Sequence, residues 1–149
     1  MSRVKKIAVL ILVIVFLIFV VEYISTRIYS FAGNKIVSVN IKEAVFLAEV
    51  VSNSEKMQKG LGKRNGLCDE CGMLFKFQQS GRYSFWMKDM NFPIDIIWIG
   101  KNKIVHLEKN VDPDFVGTVV STENADVVLE INAGSVDELG IKVGDIASF

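Results

Sequence analysis

Between Gly72 and Trp98 the chain reads GMLFKFQQSGRYSFWMKDMNFPIDIIW. Two aromatic-rich strand patterns stand on either side of one loop holding Lys88, Asp89, Asn91 and Pro93. A period of two marks strands, and in Arg82 to Lys88 it puts Tyr83, Phe85 and Met87 on one face and Ser84, Trp86 and Lys88 on the other. Strand patterns recur at Ile36 to Ile41, Ala44 to Val51, Met73 to Phe77, Ile94 to Ile99, Lys103 to Val111, Val127 to Asn132 and Asp145 to Ser148. Turn signals separate them at Lys42-Glu43, Gln79-Ser80-Gly81, Asn91-Phe92-Pro93 and Gly100-Lys101-Asn102. Many short strands with short turns predict a mainly β fold: a compact antiparallel β-sandwich or barrel with one or two short helices. One helix is expected from an Asn53 or Ser54 cap to about Lys59, closed by Gly60 and Gly62. Lys63 to Glu70 reads as a polar loop, and Ser135 to Leu139 as one further helical turn.

Ahead of this pattern, Ile7 to Val21 is uninterruptedly apolar and follows Arg3, Lys5 and Lys6. Such a segment is a cleaved signal peptide or an uncleaved anchor. The run is shorter than the roughly 20 apolar residues of a spanning helix. Tyr23, Ile24, Tyr29 and Phe31 extend it toward the interface, with Glu22 as the one blemish. Small residues suited to cleavage, Ser30 and Ala32, lie far downstream, which favours the anchor. The expected organisation is a signal anchor or transmembrane helix over residues 1–27, a linker over 28–34 and a β-rich domain over 35–149. Basic residues before the run place the N-terminus in the cytoplasm and the domain outside, on a single-pass membrane protein, or secreted if the segment is cleaved.

The whole chain is formally neutral, but residues 35–149 carry 13 basic and 16 acidic residues, a net charge of −3. A mildly acidic domain without a basic stripe argues against nucleic-acid binding, which needs clustered Lys and Arg to neutralise phosphates. No G-x-x-x-x-G-K-[ST] or G-x-G-x-x-G phosphate loop and no G-x-S-x-G elbow occurs, which disfavours nucleotide and serine-hydrolase chemistry.

Several short motifs carry a resemblance. They are Lys59-Gly60-Leu61, Gly72-Met73-Leu74-Phe75, Phe85-Trp86-Met87-Lys88, Pro93-Ile94-Asp95-Ile96 and Leu129-Glu130-Ile131-Asn132-Ala133-Gly134, with Gly144-Asp145 near the end. Over roughly Val39 to Phe149 the chain resembles domain-of-unknown-function family 192, a set of small bacterial and archaeal proteins, often exported. It departs from that pattern at Gly62, where the family usually has Met, and in having Cys68 and Cys71. The resemblance implies a compact β-rich domain and no particular reaction.

Polar residues among large apolar ones mark a candidate ligand site: Trp86, Lys88, Asp95, Glu130 and Asn132. Alternation puts Asp95 with Ile97 and Ile99, and Glu130 with Val128 and Asn132. An aromatic wall with a few placed polar groups is the usual form of a small-molecule site, and Trp stacks on cyclic ligands and cations. If Asp95 and Glu130 converge, two carboxylates can also share acid and base work in a hydrolase. The bland reading is structural: Lys88 pairs with Asp95 across strands, while Glu130 and Asn132 satisfy loop backbone.

Cys68-Asp69-Glu70-Cys71 is a C-x-x-C pair in a loop. Outside the cytoplasm a structural disulfide is expected. The alternatives are thiol exchange, disfavoured by the two carboxylates between the thiols, and a metal site, for which ligands are too few. His106, placed by alternation with Ile104 and Glu108, reads as a structural or surface histidine. Met90 and Phe92 read as closing one end of the core, the alternative being a docking surface. Together these readings describe a membrane-anchored extracytoplasmic ligand-binding or accessory module, needing no cofactor or metal, whose ligand is a small molecule or an envelope polymer. The alternatives are an envelope hydrolase and a redox or metal module.

Overall fold

The computed structural model describes residues 3–28 and 33–149; within the first helix, side chains are described at Lys5, Ile7 and residues 9–19. Tyr29, Ser30, Phe31 and Ala32, on which the linker and cleavage readings rested, lie outside the described residues. The first element is α1 (Arg3–Ile28). Its described apolar side chains, including Leu12, Phe16 and Phe19, are exposed. Among the described residues no helix is long and apolar enough to cross a membrane.

The remaining elements are β1 (Ile36–Ile41), β2 (Ala44–Val51), α2 (Ser54–Lys59), β3 (Cys71–Gly81), β4 (Ser84–Phe85), β5 (Ile94–Gly100), β6 (Lys103–Val111), β7 (Val119–Val120), β8 (Ala125–Asn132), α3 (Ser135–Glu138) and β9 (Ala147–Ser148). Asn53 caps α2 through its side-chain oxygen, which accepts from Lys56 N–H at 2.8 Å, the usual satisfaction of a free helix N–H. Seven strands form one curled sheet in the order β6-β5-β8-β3-β2-β1-β9, and β4 and β7 form a separate two-stranded ribbon. Near the start of β6 the two ends of the curl meet. Lys103 bridges Ile146, while Ile104 N–H donates to Asp145 O at 2.9 Å and Ala147 N–H to Asn102 O at 2.9 Å. These bonds cover part of the sheet's open edges, the feature that otherwise invites aggregation.

The pairing is not wholly antiparallel, as the sequence pattern suggested. β2 and β3 run parallel. Parallel neighbours require a long crossover, and Ser52 to Glu70, with α2 inside it, supplies one. The strand expected over Arg82 to Lys88 is shorter, only Ser84–Phe85, because it leaves the main sheet to pair with β7.

Both faces of the sheet are covered. The inner face packs Val39, Ile41, Leu74, Ile97, Leu129 and Ile131 with Val136 of α3. The outer face packs Met73, Phe75, Ile96, Trp98 and Val128 beneath Leu61, Met87 and the β4–β7 ribbon. Trp98 is fully buried there, and its indole N–H donates to Tyr83 O at 2.9 Å, giving its one polar atom a partner. Met90 and Phe92 pack against this outer core.

Candidate functional site

The register of β8 decides which of the predicted site residues meet. Glu130 lies beside Met73 of β3 and Ile96 of β5. Asp95 lies beside Ile131. Adjacent residues of a strand point to opposite faces, so Glu130 belongs to the outer face and Asp95 to the inner. The two carboxylates do not converge, and the two-carboxylate hydrolase site has no geometric basis.

Asp95 is fully buried and both of its oxygens are used. Oδ1 accepts from Asn110 N–H and Oδ2 from Val136 N–H, each at 2.8 Å. Asn110 sits at positive φ (52°), where β6 carries an extra residue relative to β5. A bulge leaves ladder groups unpaired, and Asp95 satisfies one of them while tying down the first turn of α3. Its role is structural, but its partners are backbone amides and not Lys88, which is exposed. Trp86 is also largely exposed, at 47%. Asn132 shares the face of Glu130, and its amide donates to Cys68 O at 2.9 Å. Of the five predicted residues, then, Glu130 and Asn132 share a strand and a face, Trp86 and Lys88 are exposed on either side of buried Met87, and Asp95 is on the other side of the sheet.

Glu130 differs from the rest. It is 5% exposed, and its Oε2 is buried with no hydrogen-bond partner. Burial pushes its carboxyl up to about 8, and the nearby Arg64 guanidinium opposes this only in part. Desolvation disfavours the charged form of a carboxyl, so Glu130 holds its proton at neutral pH. Arg64 is committed elsewhere: both terminal nitrogens bind Glu49. Glu49 lies beside Met73 in the β2–β3 register. The outer face thus carries a row of Glu49, Met73, Glu130 and Ile96, with Arg64 reaching in from the crossover. Asn34 donates to Glu49 at 3.0 Å and accepts from Lys56 at 2.6 Å, extending the network.

Two close approaches hold this arrangement. A Cβ on Gly72 would stand 2.8 Å from Glu130 O, so only glycine lets β3 approach β8 at that point. A Cβ on Gly62 would stand 3.0 Å from Lys59 O and 3.3 Å from Lys88 O. There the Arg64 loop meets the loop after β4, joined by Lys63 N–H to Asp89 O at 2.7 Å and by the Asn91 amide to Arg64 O at 2.9 Å. Glu49 and Arg64 were not singled out from sequence. Glu49 had a signal, as the one charge in AVFLAEVV. Arg64 had none, since its neighbours depend on the parallel crossover.

The comparisons with known proteins agree with this architecture. Residues 36–149 match family DUF192, described as an uncharacterized ACR. The chain belongs to the DUF192 family. The chain is also similar to two crystal structures. One is a protein of unknown function from Novosphingobium aromaticivorans, 31% identical, with a TM-score of 0.78, covering 82% of this chain and 91% of its own. The other, from Sinorhizobium meliloti, is described as a proposed transcription regulator and is 27% identical, with a TM-score of 0.74, covering 77% of this chain and 94% of its own. No curated protein matches the chain significantly.

The Cys68–Cys71 pair of this DUF192 domain is joined as a disulfide at the end of the loop that carries Arg64. Cys71 N–H donates to Cys68 O at 3.0 Å. Among the described residues no group of three or more His, Cys, Asp or Glu is placed to hold a metal ion. His106 does not share a face with Ile104, as alternation suggested. Trp98 pairs with His106 and Ile99 with Ile104, so the extra residue Val105 turns His106 to the outer face. Its ring meets Trp98 edge-on, with centroids 5.1 Å apart.

Proposed function

We propose that this protein is an extracytoplasmic binding module tethered to a membrane by its N-terminal helix, and that its ligand is recognised on the outer face of the sheet at Glu130. One observation carries the site: a buried carboxyl with a partnerless oxygen, which burial pushes toward its protonated form. Buried polar groups are nearly always paired, and an exception is costly to keep. A neutral carboxyl both donates and accepts, so the complementary ligand presents an uncharged hydroxyl or amide, as sugars and peptides do. Arg64, fixed by Glu49, keeps a positive charge beside the site without ionising it. The reading rests on Glu130, Arg64 and Glu49, with Asn132 bracing the Cys68 loop, and leaves Asp95 to the scaffold.

The tether is supported by the basic residues before Ile7, the continuous helix Arg3–Ile28 and the exposed apolar side chains along it. Fractionation and protease accessibility of intact cells test it. The expected result is a membrane-bound chain whose β-domain is cleaved from outside; a chain released in the soluble fraction with its N-terminus intact contradicts it. The site is tested by titrating the full chain in detergent micelles with envelope saccharides and peptides. Binding that is lost in Glu130→Leu and retained in Asp95→Asn is expected. Binding indifferent to Glu130 contradicts the assignment.

A further inference from the structure

A second feature of the outer face lies away from Glu130, along β6 and the loop that follows it. An open groove of about 470 Å³ is lined by His106, Glu108, Lys109, Asp112, Phe115 and Val120, among others. That volume lies within the range of small-molecule sites. Two bulges, one at Val105 and one near Asn110, shape the strand that forms its floor. Bulges commonly re-aim side chains beside functional sites. Here the first turns His106 onto the face that also carries Glu108, the neighbour of Ile96.

The groove carries acceptors at Glu108 and Asp112, and Asn110 and Thr118 also line it. His106 Nε2 is buried without a hydrogen-bond partner. Glu108 Oε2 stands 3.9 Å from it, beyond hydrogen-bond length. Nδ1 lies 3.4 Å from the Thr122 hydroxyl. In the tautomer that donates from Nδ1 to Thr122, Nε2 is a bare acceptor; in the other, Thr122 donates to Nδ1 and Nε2–H faces Glu108. Glu108 is an acceptor as well, and Asp112 adds a second carboxylate. The one lysine on the groove is engaged, with Lys109 Nζ 2.6 Å from Asp137. In the first tautomer two acceptors, His106 Nε2 and Glu108 Oε2, stand 3.9 Å apart with no hydrogen bond between them, and a ligand that donates to both completes them. Phe115, 44% exposed, and Val120, 49% exposed, add an apolar wall. An aromatic face beside acceptors favours a cation over a neutral donor.

We infer that this groove binds a primary alkylammonium group, its nitrogen donating to His106 Nε2 and Glu108 while its chain lies against Phe115 and Val120. The site is independent of Glu130 and of the ligand proposed for it. The ammonium belongs either to a free diamine or to a lysine side chain, and the same chemistry recognises both.

His106 is the chain's single histidine, so its imidazole signals in an NMR spectrum need no assignment. The full chain in detergent micelles is titrated with 1,4-diaminobutane, with Nα-acetyl-lysine methylamide and with 1-butanol. Saturable imidazole shifts are expected with one or both amines and not with the alcohol. Saturation by the diamine alone marks a free amine as the ligand; saturation by the lysine derivative marks a side chain. Glu108→Gln, at a half-exposed position that does not threaten folding, is expected to weaken binding at least tenfold, as is Phe115→Ala. The absence of saturation with either amine overturns the inference. So does an equal response to butanol, or amine binding unchanged in Glu108→Gln.

Discussion

Glu130 and Asp95 are both buried acidic residues, yet their surroundings give them opposite consequences. Asp95 is matched to two amide donors, so Asp95→Asn, which replaces one acceptor by a donor, leaves a buried N–H unpaired. Equilibrium unfolding should show a loss of about 2 kcal/mol, the usual cost of such a group. Glu130 has no such match. Burial pushes its folded carboxyl up to about 8 from the 4.5 of an ordinary glutamate. Between those values the folded state holds a proton that the unfolded state releases, so stability falls as pH rises, by about 1.4 kcal/mol per pH unit. Glu130→Gln imitates the neutral acid and escapes this fall. The variant is therefore expected to be more stable than the parent at pH 7 by about 3 kcal/mol, on the order of 2.5 pH units of linkage. The difference should shrink to nothing near pH 4.5, as denaturant melts across that range would reveal. A parent as stable as the variant at pH 7 contradicts this. Sequence showed that both residues are polar islands in apolar strands. It did not show that their pairing registers differ by one, because register is fixed by partners distant in the chain.

Local sequence signals set the bounds of the elements, while long-range pairing leaves no local signal. β1 and β2 have the bounds that alternation and the Lys42-Glu43 turn suggested, and α2 follows its Asn53 cap. The β2–β3 parallel pair was illegible because periodicity carries no direction. The bulge at Val105 was illegible for a related reason: one extra residue inverts every later side chain, which misplaced His106. The close contact of β3 with β8 at Gly72 gives an element-scale prediction. Gly72→Ala drives a methyl group into Glu130 O and should cost about 1–3 kcal/mol, the range for overpacking; a neutral substitution there, measured by denaturant unfolding, would mean that the strands can separate freely. The Cys68–Cys71 disulfide closes a loop of only a few residues. By the loop-entropy estimate its removal in Cys68→Ser/Cys71→Ser should cost about 2 kcal/mol and leave the fold intact. Loss of the β circular-dichroism spectrum in that variant would mean the staple holds the domain together.

The domain is built on one seven-stranded sheet with apolar layers on both faces. The inner core is closed by α3 and by the meeting of β6 with the β9 end; the outer core is closed by the Arg64 crossover and the β4–β7 ribbon. β3, β5 and β8 contribute to both, so neither core can melt alone. With Trp86→Phe, fluorescence reports Trp98 in the outer core only. Its urea transition is expected to coincide with that of far-ultraviolet circular dichroism, as two-state unfolding requires; an earlier fluorescence transition would mean that the outer layer is a separable lid.

The proposed site depends on a fold that holds Glu130 neutral and without a partner, so that a ligand can complete it. The most direct test is a carbon-13 NMR titration of the Glu130 side-chain carboxyl in the full chain in detergent micelles, with Glu130→Gln identifying the signal. A midpoint near 8 is the predicted result. A midpoint in the ordinary carboxylate range, below 5, would mean that Glu130 is ionised and already satisfied by its surroundings, and the proposed site would fall.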